Sequence, residues 1–215
     1  LLSRRQRQMC IRDSHESIQE NRELEEHFET ALENEEFEIW YQPKYSAHSR
    51  KLVGAEALVR WRRADGALIP PLKFIPLFER NGNIIRLDEY VFRAVCRQQK
   101  EWQKQGQKML PVSVNISRVS LYYSSVVEKY ESIIRSFDLD SKYIQLEITE
   151  SATIDNNEIF NLLEQFHTAG FKILLDDFGS GYSSLAALNR MHFDTIKLDK
   201  SLVDYICLLY TSPSP

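Results

Sequence analysis

The stretch PVSVNISRVSLYYSSVVEKYESIIRSFDLDSKYIQLEITESATIDNNEIFNLLEQFHTAGFKILLDD, residues 111–177, alternates short apolar runs with longer amphipathic ones. PVSVN (111–115), IQLEI (144–148) and FKILL (171–175) are too short for helices, and they read as strands. Between them, residues 124–137 and 158–169 repeat apolar side chains at helical spacing. Strands and helices alternating in this way predict a parallel sheet with crossover helices. A strand at 195–198 continues the series.

Toward the N-terminus, FEIWYQ (37–42) is strand-like and is expected to stop at Pro43. With a second strand at 51–60 it predicts a hairpin across the loop KYSAHSR. Pro70 and Pro71 open a short helix through Glu79, and residues 84–105 carry Ile84, Leu87, Val91, Val95 and Trp102 as the apolar side of a long helix. Residues 17–35 are rich in Glu and place Leu24, Phe28, Ala31 and Leu32 on one side, predicting an amphipathic helix within an entry segment, 15–36.

The 215 residues hold 27 Lys and Arg against 31 Asp and Glu, a net charge of −4, and 43% hydrophobic residues. That balance suits a globular domain and offers no general attraction for a nucleic acid polymer or an anionic membrane surface. A phosphate ligand must therefore be met locally. No apolar run reaches the roughly 18 residues of a membrane span, and the N-terminus lacks a signal-peptide core, so the expected location is the cytoplasm. Cys10, Cys96 and Cys207 have neither metal nor disulfide spacing and are expected as reduced thiols, with Cys96 buried on its helix. His15, His27, His48, His167 and His192 form no ligand pattern, and no Ser-His-Asp or Cys-His series is present.

The two ends read differently from the middle. RRQRQMCIRDS (4–14) and CLLYTSPSP (207–215) lack helix or strand periodicity, and each resembles the translation of one strand of a transposon-type sequencing adapter. Residues 1–14 and 207–215 are accordingly assigned as non-native tails around a domain at 37–206.

Acidic and amide side chains collect where the strands end: Glu56, Asn115, Glu147, Asp176 and Asp177, with Lys197 on the last strand. In a β/α barrel such positions converge on one face. Clustered carboxylates repel one another unless a cation neutralises them, and an all-oxygen set favours Mg²⁺ or Mn²⁺ over zinc. The loop that follows, Phe178-Gly179-Ser180-Gly181-Tyr182-Ser183-Ser184, holds two glycines suited to a sharp turn or to phosphate contact.

Seven segments in this order resemble the EAL family of cyclic di-GMP phosphodiesterases: YQP (41–43), EALVRW (56–61), FIPLFE (74–79), VNIS (114–117), EITES (147–151), DDFGSGYSSL (176–185) and KLDKSLV (197–203). The resemblance implies a TIM-like (β/α) barrel whose first strand runs antiparallel to the rest. It implies two divalent cations, Mg²⁺ or Mn²⁺, one held by Glu56, Asn115, Glu147 and Asp176, with Asp176 bridging to a second that Asp177 also binds. Gln42 and Arg60 are implied as contacts to the dinucleotide and Lys197 as the group that orients water, so that Lys197, Asp177 and Glu56 form the catalytic set. Glu150, Gly179 and Gly181 are implied to keep the loop in position, and Asp199 matches a second acidic residue on the last strand.

The implied reaction is hydrolysis of cyclic di-GMP to linear pGpG in bacterial second-messenger signalling. The competing reading is a receptor that binds cyclic di-GMP without hydrolysis. The resemblance also implies two strand-helix units after KLDKSLV, with AEGVE-like and QGY-like segments, so that about six of eight barrel strands are expected here and this chain alone is expected to turn over poorly. Homodimerisation, and an upstream GGDEF or sensory domain free to tether the full-length protein to a membrane, complete the expectations.

Overall fold

Residues 4–153, 157–179, 191–202 and 204 are described by a computed structural model of the chain, with side chains from residue 18 onward. Helix α1 spans Arg4–Glu33, followed by β1 (Phe37–Tyr45), β2 (Leu52–Arg62) and a two-residue β3 (Leu68–Ile69). Helices α2 (Pro71–Asn81) and α3 (Ile84–Lys104) lead to β4 (Val112–Asn115). A short α4 (Arg118–Leu121), α5 (Val126–Ser136), β5 (Ile144–Thr149), α6 (Asn157–Thr168), β6 (Lys172–Phe178) and β7 (Thr195–Leu198) complete the series. No helix of the described residues is long and apolar enough to cross a membrane.

The strands lie in the order β1-β2-β4-β5-β6-β7, with β3 paired to the end of β2. β2, β4, β5, β6 and β7 pair in parallel, each with the next. The first hairpin is antiparallel, closed by Arg62 N–H to the Glu36 carbonyl at 2.8 Å and Ser46 N–H to the Lys51 carbonyl at 2.9 Å. This is the strand order of an incomplete TIM-like barrel with an antiparallel first strand.

Three expectations are corrected. β1 does not stop at Pro43 but continues to Tyr45, because β1 ends the sheet and an edge strand tolerates a residue with no N–H to donate. Residues 4–14 continue α1 without a break. The whole span 4–33 contains neither Gly nor Pro, so each residue adds a hydrogen bond to a helix already nucleated. β6 runs past Leu175 through both aspartates, with a register shift against β7 between Leu175 and Phe178.

The chain divides into two compact units, residues 1–38 with 59–87 and residues 39–58 with 88–215. The first is built on aromatic rings. Trp61, Phe28, Phe74 and Phe78 are fully buried and Phe37 nearly so, with ring centroids 4.7–6.5 Å apart among them. Trp61 Nε1 donates to the buried Glu36 carboxylate at 2.9 Å, and His27 Nε2 lies 3.0 Å from both Glu36 oxygens. A buried carboxylate is costly unless paired, and these partners on α1 and β2 meet that cost.

In the second unit Ile144, Leu146 and Ile148 are fully buried on β5, and Phe92, Tyr130, Phe166 and Phe171 pack the helical layer beside the sheet. Cys96 is buried there, as expected, and burial pushes its thiol up to about 12, which leaves it unreactive. Asp88 of α3 accepts from Ser117 N–H at 2.9 Å and from the Ser120 hydroxyl at 2.7 Å, tying α3 to the turn that follows Asn115.

Asp194, just before β7, accepts from Ile173 N–H at 2.9 Å and lies 3.1 Å from His167 Nε2. Burial pushes its carboxyl up, but the Ile173 N–H and His167 outweigh that and hold it below the usual carboxylate range. A depressed folded-state value gives stability that is present above the unfolded value, about 4, and is lost as pH falls through the folded value. The stability gap between the parent chain and Asp194→Asn is therefore expected to be full above the unfolded value and to close as pH falls through the depressed folded value. Urea midpoints across that range check it, and a gap independent of pH contradicts it.

Candidate metal and substrate site

The parallel register aligns the site. Glu56 lies beside Ser113, Asn115 beside Glu147, and Thr149 beside Asp176. Alternation along each strand turns Glu56, Ser113, Asn115, Gln145, Glu147, Asp176 and Lys197 toward one side. Carboxylate oxygens of Glu56, Glu147 and Asp176 lie within 4.8 Å of one another. Lys197 Nζ reaches all three, at 3.0 Å to Glu56 Oε2, 2.8 Å to Glu147 Oε2 and 2.9 Å to Asp176 Oδ2. Asn115 Nδ2 donates to Glu56 Oε1 at 3.2 Å.

Burial alone would lower the Lys197 ammonium, but its bonds to Asp176, Glu147 and Glu56 raise it well above the ordinary lysine value. It stays charged. Glu147, its side chain fully buried, is pushed up by burial and pulled down further by Lys197, Lys44 and Ser113, so its carboxyl lies below the usual range. Lys44 Nζ is 2.6 Å from both Glu147 Oε1 and Ser113 Oγ. Three carboxylates thus face two ammonium groups, leaving an excess of negative charge among hard oxygen donors. That donor set fits a divalent cation of the Mg²⁺ or Mn²⁺ type.

Asp177 stands apart from this trio and is exposed. Its backbone is left-handed at φ 56, unusual for a non-glycine residue, and its N–H donates to Asp176 Oδ1 at 2.9 Å. Burial, then the charges of Asp176 and Asp199, raise its carboxyl. Asp199 is lowered by its bonds to Ser201, whose N–H lies at 2.8 Å. Glu150, buried at the end of β5, accepts from Gly179 N–H at 2.8 Å. Gly179 has φ 97, a backbone conformation that favours glycine, and a Cβ there would fall 2.1 Å from Leu202 Cδ1 and push that side chain aside. Gly181 and the rest of the loop through Ser184 lie outside the described residues.

Gln42 lines a cavity of about 450 Å³ together with Lys44, Gly54, Glu56, Gln145 and Lys197. Arg60 belongs to the other unit, where its guanidinium donates to the Val59 carbonyl at 2.7 Å. The structure therefore gathers Glu56, Asn115, Glu147, Asp176 and Lys197 into one bonded cluster with Gln42 on the adjoining cavity. Sequence reading missed Lys44 and Ser113. The available signal was the two-residue period of β1, which puts Lys44 on the same side as Gln42.

Fold and cluster together define a β/α-barrel domain with a candidate divalent-metal centre on one side of its sheet, Glu56 lying in the middle of β2 and not at its end. The chain belongs to the EAL domain family, whose model matches residues 25–207. It is 38% identical over 181 residues to the cyclic di-GMP phosphodiesterase PdeR of Escherichia coli, covering 84% of this chain and 27% of that protein. It is 35% identical over 198 residues to the cyclic di-GMP phosphodiesterase NbdA of Pseudomonas aeruginosa, covering 92% of this chain and 25% of that one. Among solved structures, the PaMucR phosphodiesterase in complex with c-di-GMP matches with a TM-score of 0.80 and 32% identity, covering 86% of this chain and 75% of that chain. The chain spans about a quarter of the length of the curated relatives it matches.

Proposed function

We propose that this domain performs metal-dependent hydrolysis of cyclic di-GMP to linear pGpG, in bacterial second-messenger signalling. The observation that carries this reading is the convergence of Glu56, Glu147 and Asp176 on one point, bridged by Lys197. Glu56, Asn115, Glu147 and Asp176 would hold one cation, and Asp176 with Asp177 a second, each Mg²⁺ or Mn²⁺. When bound, such cations neutralise phosphate charge and make water a stronger nucleophile near neutral pH. Lys197, kept protonated by its carboxylates, acts as a donor that orients the attacking water and does not act as a base. By motif position Gln42 and Arg60 are assigned as contacts to the dinucleotide, and the Glu150 carboxylate holds the Gly179 N–H at the end of β6. These roles follow from the motif positions; the bonds of Lys197 to Glu56, Glu147 and Asp176 support the reading of the first cation site.

A second reading has one observation in its favour. Lys197 already compensates three carboxylates, an arrangement a metal-independent cyclic di-GMP receptor would also use. Calorimetric titration with cyclic di-GMP in EDTA separates the two. The enzyme reading expects affinity to fall on chelation, and full affinity in EDTA favours the receptor.

The wider setting is proposed on the same basis. Residues 1–14 and 207–215 are adapter-derived, α1 is the entry from an upstream GGDEF or sensory module, and the protein acts in the cytoplasm as a homodimer. Sedimentation of the chain tests the last point, and a fully active monomer contradicts it.

A further inference from the structure

Glu147 is held by two lysines, one on each carboxylate oxygen: Lys197 from β7 on Oε2 and Lys44 from β1 on Oε1. The two differ in what else they touch. Lys197 bonds all three carboxylates of the cluster, whereas Lys44 bonds Glu147 alone of the three and takes its second anchor from Ser113. Ser113 is fully buried on β4, in register between Glu56 of β2 and Gln145 of β5, with its hydroxyl 3.4 Å from the Ala55 carbonyl. Lys44 follows Pro43, whose ring fixes the backbone torsion immediately before it.

We propose that Lys44 is a positioning residue for the metal centre: by bonding Glu147 Oε1 against Ser113, it commits that oxygen and presents Oε2 to the cluster. This rests on the metal-site reading above. A cation entering among Glu56, Glu147 and Asp176 competes with Lys197 for the same oxygens, but it does not compete with Lys44. Lys44 therefore keeps Glu147 oriented and charge-compensated with the cluster loaded or empty. Partners of this kind, which hold a ligand without touching the metal, typically change metal affinity by about 10–100-fold.

The test is Mn²⁺ binding to the 215-residue chain without substrate, with free Mn²⁺ followed by electron paramagnetic resonance. Lys44→Met keeps the aliphatic stem and removes both the bond to Oε1 and one positive charge. Loss of the held orientation is expected to outweigh the gain in net negative charge and to weaken binding about 10–100-fold, and binding tighter than the parent overturns the role. Lys44→Arg, which retains a donor for Oε1, is expected to recover most of that loss. A role in packing alone predicts the reverse ranking, since Met fits the stem better than Arg. Far-UV circular dichroism verifies the fold. If Lys44→Met does not fold, Ser113→Ala, which keeps the ammonium and removes one anchor, is expected to weaken binding by a smaller factor, and unchanged affinity there overturns the assignment. Lys44→Met binding as tightly as the parent, while Glu147→Gln does not bind, overturns the role of Lys44 and leaves the metal site standing. No binding by the parent chain overturns both.

Discussion

Glu147→Gln is expected to abolish Mn²⁺ binding by this chain and, with it, metal-dependent pGpG formation. The substitution preserves shape, so the effect is electrostatic. Each oxygen of Glu147 accepts from a lysine, at 2.6 Å from Lys44 and 2.8 Å from Lys197. A glutamine amide has one acceptor, so its NH₂ group must face one of the two ammonium groups, donor against donor, at a side chain that is itself fully buried. It also removes one of three negative charges from the cluster that would attract the cation. Calorimetry with Mn²⁺ and chromatography of the reaction products check both halves. Undiminished binding and turnover would contradict the placement of the metal centre.

Trp61→Ala is expected to cost about 3–5 kcal/mol of folding stability, the range for truncating a buried large aromatic. Trp61 is fully buried, touches Phe37, Phe74 and Phe78 through its ring, and donates to Glu36. Truncation opens a cavity in the aromatic core and takes one hydrogen bond from a buried carboxylate. Domains of this size have about 5–15 kcal/mol in total, so the variant should unfold at markedly lower urea. Trp61→Phe, which keeps part of the ring contacts and loses the donor and the second ring, should cost less than the truncation to Ala. A urea midpoint for Trp61→Ala equal to that of the parent contradicts the role given to this residue.

Much of the sheet was legible in the sequence because parallel strands covered by helices are short and apolar, as at 144–148, and the helices between them carry one apolar stripe each. The acidic strand-end positions were legible for a related reason: Glu147 interrupts IQLEI, and charge inside an otherwise apolar strand needs a partner. What escaped depended on neighbours that a linear reading does not contain. Pro43 reads as a stop signal, and only the edge position of β1 permits the strand to continue. That continuation is what brings Lys44 to Glu147, so the misread boundary and the missed residue share one cause. β3 has two residues and no periodicity to detect, and it exists through pairing with Trp61 and Arg62. The left-handed Asp177 was likewise unreadable, since it sits where β6 shifts register against β7.

The most direct measurement reads the source DNA beyond residue 206, expresses the chain so extended, and quantifies pGpG from cyclic di-GMP with Mg²⁺ or Mn²⁺ and again in EDTA. The expected result is AEGVE-like and QGY-like segments after KLDKSLV, and pGpG that forms with metal and disappears on chelation. Cyclic di-GMP bound at full affinity and left intact with metal present would contradict it.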